Sequence, residues 1–169
     1  MASKRGGNPA EMLRLFQMLK DKNWLRHCPT HTFSGVISAC GKSRMQGRAF
    51  DVFADMKLAG VRPDVFTYSA MIAVCASSGS ARKALQLLDE MKTAGLEPNV
   101  VTYSSLVSAC GKGRMLKEAL AVLDEMKQVG VTPNEQTFNS LISACGKVAK
   151  PDVAFEMLAA MKAGGLRPR

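Results

Sequence analysis

Between residues 100 and 134 the chain holds two amphipathic runs separated by short polar breaks. In the first run Tyr103, Leu106, Val107 and Cys110 fall at i, i+3, i+4 and i+7, the apolar stripe of one helical face. Gly111-Lys112-Gly113-Arg114 breaks that pattern, and a second run from Leu116 to Val129 puts Ala119, Leu120, Leu123 and Met126 on its inner face. Gly130 supplies a left-handed stop, Pro133 blocks continuation, and Asn134 is a good N-cap for whatever helix follows. The pattern predicts two antiparallel helices joined by a tight turn.

The same pattern recurs every 35 residues. Gly60, Gly95, Gly130 and Gly165 share the period, as do Pro63, Pro98, Pro133 and Pro168, and Met56, Met91, Met126 and Met161. The units are 30–64, 65–99, 100–134 and 135–169, with no insertion between them. A hairpin of this size cannot bury both apolar faces alone, so each unit must stack on its neighbours. The expected fold is therefore all-α, a right-handed α-solenoid of antiparallel helix-turn-helix repeats. Residues 1–29 read as an N-terminal half-repeat, with a helix from Glu11 to about Lys22 and with Trp24 and Leu25 as packing residues near its end. After Arg169 no polar capping helix follows, so the last hairpin is expected to expose an apolar face, to cover it with another copy, or to continue in a longer protein.

Composition narrows the partner. Lys and Arg number 23 against 14 acidic residues, net +9, which favours a polyanion. No run approaches the roughly 18 apolar residues of a membrane span, and Met1 to Gly7 is too short and polar for a secretory signal or an organelle transit peptide. Membrane and small-molecule partners are not expected. Cys40, Cys75, Cys110 and Cys145 repeat at the 35-residue period and read as small packing residues rather than halves of bridges. Cys28 and His31 have metal-ligand spacing without a second ligand pair, so no metal or other cofactor is expected.

The segment from Val100 to Lys112, continuing Lys117-Glu118-Ala119-Leu120-Ala121-Val122-Leu123-Asp124-Glu125-Met126-Lys127 and ending Gly130-Val131-Thr132-Pro133-Asn134, closely resembles the pentatricopeptide repeat in its 35-residue form. The resemblance spans residues 30–169. It implies sequence-specific binding of single-stranded RNA, one base per repeat, in chloroplast or mitochondrial RNA metabolism such as processing, splicing, stability or translation. In that family the fifth and last residues of a unit discriminate the base and the second clamps it. Carried over, the base-reading pairs are Ser34 with Asp64, Ser69 with Asn99, Ser104 with Asn134, and Asn139 with Arg169; the clamps are His31, Phe66, Val101 and Gln136. Of the clamps only Val101 is of the usual type, although Phe66 can stack on a base. The family rule pairs Ser plus Asp with guanine and Ser plus Asn with adenine, implying 5′-G-A-A-3′. The fourth base is left open: Asn139 leans to a pyrimidine, but Arg169 is not the usual partner.

The residues support this independently. Ser34, Ser69, Ser104 and Asn139 fall in the first turn of their first helices, where stacking would align them in one row. Short hydroxyl and amide groups there suit the edge of an unstacked base. The plainer reading is that Asp64, Asn99 and Asn134 are only N-caps. Lys42, Lys112 and Lys147 share a place near the end of the first helix, which in the family faces the RNA backbone, with Ser77 as the exception. Lys57, Lys92, Lys127 and Lys162 form a second row, read as a solvated face favoured by the helix dipole. Acidic residues such as Asp55, Glu90 and Glu125 read as partners of lysine between repeats, and no catalytic constellation is expected. The competing reading is a protein-interaction scaffold, including a homodimer formed through the terminal repeats.

Overall fold

The computed structural model describes residues 8–167. Its α-helices are α1 (Pro9–Asp21), α2 (Thr30–Lys42), α3 (Gln46–Leu58), α4 (Val65–Ser78), α5 (Ala81–Thr93), α6 (Val100–Lys112), α7 (Leu116–Gln128), α8 (Glu135–Lys147) and α9 (Pro151–Ala163), with one 3-10 turn at Leu25–His27. Among the described residues there is no strand. The chain is an all-α solenoid of helical hairpins.

Two layers arise from how the hairpins stack. The first helices α2, α4, α6 and α8 lie side by side in a continuous layer. Each second helix packs on its own first helix, and α3, α5 and α7 also pack on the first helix of the following unit. The core is the seam between layers: Tyr103, Leu106, Val107 and Cys110 are fully buried against Ala119, Leu123 and Met126. Small residues let the first helices approach closely. A Cβ placed on Gly111 would sit 3.1 Å from both Ala144 Cβ and the Ser140 carbonyl oxygen, and one on Gly41 would sit 2.9 Å from Val74 Cγ2.

Chain reversal between units follows from the punctuation. Gly60, Gly95, Gly130 and Gly165 have φ between +73° and +79°, a region closed to most side chains, so each second helix stops there. The second-helix layer is laced by ion pairs running from one unit to the next: Lys20 to Asp55 (2.8 Å), Lys57 to Glu90 (2.7 Å) and Lys92 to Glu125 (2.7 Å). Lys57 and Lys92 are thus inter-unit partners as well as cations at a helix end. In the last unit Ala160 stands where Asp55, Glu90 and Glu125 stand earlier.

The N-terminal helix differs from expectation in two details. It starts at Pro9, because Asn8 accepts a hydrogen bond from the Ala10 amide and proline suits the first helical position. Leu25 is buried, but Trp24 is 56% exposed, with the Lys22 ammonium 5.4 Å from its ring centroid. Trp24 is therefore a surface residue, not a core one.

Candidate nucleic-acid interface

The first turns of α2, α4, α6 and α8 build one edge of the first-helix layer. Each of the last three is opened by the final residue of the preceding unit. Asp64 Oδ1 accepts from the Thr67 amide (2.8 Å) and hydroxyl (2.7 Å). Asn99 Oδ1 does the same for Thr102 (3.0 and 3.1 Å), and Asn134 Oδ1 for Thr137 (3.0 and 2.9 Å). Thr67, Thr102 and Thr137 are fully buried, so each cap is pinned from below. The N-capping reading is thereby established, but it uses one oxygen only. Asp64 keeps Oδ2, and Asn99 and Asn134 keep Nδ2, outside the cap hydrogen bonds.

The residues at the second place all face outward. Phe66 is 73% and Val101 53% exposed, and His31 and Gln136 are exposed as well. Two apolar side chains held in water on a helical first turn contribute nothing to the core, and so are available to stack on something else.

The fifth-place residues do not form a uniformly open row, which departs from expectation. Ser34 is half-buried and its hydroxyl donates to the His31 carbonyl (3.1 Å). Ser69 is 7% and Ser104 1% exposed. Ser69 Oγ shares a 2.7 Å hydrogen bond with Thr102 Oγ1 of the next unit, and Ser104 donates to the Val101 carbonyl (3.2 Å). The cause is the close approach of neighbouring first helices, which lays the next unit over these short side chains. Asn139, in the last unit, is half-buried and accessible. Its expected partner Arg169 lies outside the described residues.

Between α6 and α8 the surface opens into a cleft of about 600 Å³. Here the structure brings together Asn134, Gln136, Asn139, Lys112 and Lys147. A last residue, a second-place residue, a fifth-place amide and two lysines thus share one concavity, which Glu135 also lines. Ser108, Ser140 and Ser143 line it too, and the sequence pattern does not single them out. Their signal is weak, a recurrence of small residues on the first helices that packing alone would also demand. Lys147 reaches toward the Gly111 carbonyl (3.5 Å), while Lys42 and Lys112 are exposed at the ends of α2 and α6. In α4 Ser77 takes the lysine position, and its hydroxyl bonds back to the Val74 carbonyl at 2.7 Å.

The other chemically notable groups belong to the core. Burial pushes the Cys75 and Cys110 thiols from an ordinary value near 9 up to about 11, and Cys40 and Cys145 upward in the same way. Burial first, and then the Glu125 carboxylate 2.8 Å from its hydroxyl, keeps Tyr103 protonated well past its usual range. These are neutral packing groups, not nucleophiles.

Known proteins share this arrangement. A family described as the pentatricopeptide repeat domain matches residues 27–78, 51–113 and 86–148, and one described as the PPR repeat matches 136–166. The maize pentatricopeptide repeat protein PPR10 superposes with a TM-score of 0.68 at 32% identity, over 98% of this chain and 23% of that one. The structure of PPR10 in complex with an 18-nt psaJ RNA element gives a TM-score of 0.76 at 30% identity, over 83% of this chain and 21% of that one. The chain thus spans about a fifth of the length of the PPR10 structures it matches. The PPR domain of Arabidopsis thaliana protein-only RNase P 1, in complex with tRNA, shares the fold with a TM-score of 0.81 at 17% identity, over 96% of this chain and 85% of that one. No curated protein sequence matches the chain. The family matches run unbroken from residue 27 to 166, over the same stacked hairpins whose caps and exposed second-place residues line this edge, and the chain belongs to the pentatricopeptide repeat family.

Proposed function

We propose that the chain binds single-stranded RNA along the first-helix layer, one base per repeat, with preference for 5′-G-A-A-3′, and that it serves organellar RNA metabolism. The observation that carries this is the α6–α8 cleft, where Asn134, Gln136, Asn139, Lys112 and Lys147 converge. The RNA-bound structure of PPR10, at 30% identity, supports the choice of ligand.

The capping geometry supplies a chemical reason for the preference. Oδ1 of each last residue is committed to the helix, so the atom left over decides what can be read. Asp64 offers Oδ2, an acceptor suited to the N1–H and amino donors of guanine. Asn99 and Asn134 offer an Nδ2 donor suited to the N1 acceptor of adenine. Capping and base reading are therefore compatible uses of one side chain. The buried hydroxyls of Ser69 and Ser104 act mainly as small residues that let the units close up, leaving discrimination to the last residue. Phe66 and Val101 stack on base faces, which is sequence-tolerant. Lys42, Lys112 and Lys147 neutralise phosphates, each adding affinity and salt dependence.

Asn99→Asp tests the reading. Aspartate caps a helix about as well as asparagine, so the thermal midpoint should hold while the preferred second base changes from adenine to guanine. Fluorescence anisotropy with G-A-A and G-G-A strands measures it; an unchanged ranking of the two, or no preference of the parent chain for G-A-A over pyrimidine strands, refutes the base-reading model.

A second reading, a protein-interaction scaffold, draws on one observation. Phe155 of α9 is 69% exposed, although Phe50, Leu85 and Leu120 at the same place in earlier units are partly covered. A further helix or a second copy would cover it. Light scattering without RNA that reports a dimer dissociated by Phe155→Ser would favour this reading; a monomer at all concentrations would remove the self-association part of it.

A further inference from the structure

We infer that a second edge of the stack, made by the turns between first and second helices, binds the phosphodiester backbone of RNA lying outside the segment read by the first helices. The choice of RNA as the polyanion rests on the function proposed above; the surface itself is argued from charge and geometry.

The stretches 42–48, 77–83, 112–118 and 147–153 contain ten Lys and Arg and only two acids, Glu118 and Asp152. Lys42, Lys112 and Lys147 belong to the groove already described. The remaining seven, Arg44, Arg48, Arg82, Lys83, Arg114, Lys117 and Lys150, are exposed, and none forms an ion pair among the described residues. The ion pairs lie instead along the second helices, through Lys20, Lys57 and Lys92. First helices of 13 or 14 residues place these seven cations roughly 20 Å from the base-reading turns, beyond Lys42, Lys112 and Lys147, which end the first helices on the groove side.

The first three turns form one continuous surface. Gln46 Nε2 donates to Ser80 Oγ (3.0 Å), joining the first turn to the second. A Cβ on Gly113 would lie 3.1 Å from Ala81 Cβ, so the second and third turns touch each other. Between those two a cleft of about 310 Å³ is lined by Gly79, Arg82, Lys83 and Gly113.

Local stability does not explain most of these cations. Arg44 and Arg114 both have φ +57°, in the left-handed region, while Gly79 takes the same position in the second unit at φ +69° and Ala149 in the fourth at φ +53°. Glycine would adopt this turn without steric cost, yet two units carry arginine. Arg48, Arg82 and Lys117 lie in the first turns of α3, α5 and α7, where the helix dipole favours acids; Lys83 does too, but its ammonium sits 4.8 Å from the Phe50 ring centroid and so has a packing role as well. Both choices oppose folding and both add positive charge to one edge.

The test uses the full chain and a long uridine homopolymer, which contains no purine to be read. R44G/R114G matches the native Gly79 turn and relieves the strained backbone, so its melting temperature should equal or exceed that of the parent. Its affinity for the homopolymer should fall several-fold, and the slope of log K against log salt should shrink by about 1.4, at about 0.7 for each single-strand phosphate that is no longer neutralised. R82Q/K117Q should show a similar loss. K127Q/K162Q removes the same charge from the opposite edge and should leave the slope near that of the parent. Unaltered slopes in both edge variants, or an equal loss in K127Q/K162Q, would overturn the inference. Absence of G-A-A preference in the parent chain would defeat the base-reading model while leaving the homopolymer result standing.

Discussion

At the scale of single residues, Asp64, Asn99 and Asn134 each cap a helix through Oδ1 and keep a second polar atom outside the cap, and that makes their sequence signal ambiguous. An Asn before a helix is an ordinary cap, and only the outward geometry shows that an atom remains for another partner. The covering of Ser69 and Ser104 could not be read from the chain, because it comes from the next unit's helix rather than from local pattern. The periodic cysteines were legible as packing residues, and their chemistry follows. Cys40, Cys75, Cys110 and Cys145 are fully buried, whereas Cys28 is half-buried and its thiol donates to the Trp24 carbonyl. Alkylation of the native chain at about pH 8 should therefore label Cys28 well before the other four, all of which react once denaturant is added. Mass spectrometry would count the labels; native labelling of Cys75 or Cys110 at the rate of Cys28 contradicts the structure. The raised thiols also set a pH dependence. The folded state holds these protons more tightly than the unfolded state, so this contribution is complete below an ordinary thiol value near 9 and is lost as pH rises toward about 11. The denaturation midpoint should fall between pH 8 and about pH 11, and a flat profile would mean that the thiols are not buried.

At the scale of helices, the close approach of neighbouring first helices depends on a small residue one or two places before the helix end, Gly41, Ala76, Gly111 or Gly146. These positions are equivalent in sequence but not in surroundings. A Cβ on Gly111 meets Ala144 Cβ and a backbone oxygen, both at 3.1 Å, whereas one on Gly146 meets nothing within 4 Å. Gly146→Ala should stabilise by about 0.5–1 kcal/mol, because alanine loses less backbone freedom in a helix. Gly111→Ala has the same propensity gain but must push α8 away from α6, and steric strain of that kind typically costs about 1–3 kcal/mol, enough to reverse the sign. Chemical denaturation of the two variants should show shifts in opposite directions, and shifts of the same sign would show that the helices can slide apart freely. The helices and turns themselves were legible in advance, since apolar stripes, stop glycines and caps act locally. Trp24 was not, because a large apolar side chain after a helix looks the same whether a neighbour covers it or only Lys22 lies over its ring.

At the scale of the whole molecule, each unit of a linear stack touches only its neighbours, so stability should vary along the chain rather than be shared evenly. Burial follows that rule. In α7 Ala119, Val122, Leu123 and Met126 are buried, while in α9 Met161 is the one fully buried residue among those described, and in α1 it is Phe16. The inter-unit ion pairs change little, since exposed pairs of this kind contribute only about 0–1 kcal/mol each, and the series is broken at Ala160 in any case. What holds the ends is therefore apolar packing, and there is less of it. Amide hydrogen exchange should show protection highest in α4 to α7 and lowest in α1 and α9, with α9 opening as a unit well below the free energy of global unfolding. RNA bound in the α6–α8 cleft should add protection first to α8, because Asn139 and Lys147 line the cleft while α9 would be steadied only through α8. Uniform protection from α1 to α9 would mean that the stack unfolds as a single body, and a ligand-induced gain confined to α1 would place the binding surface at the wrong end.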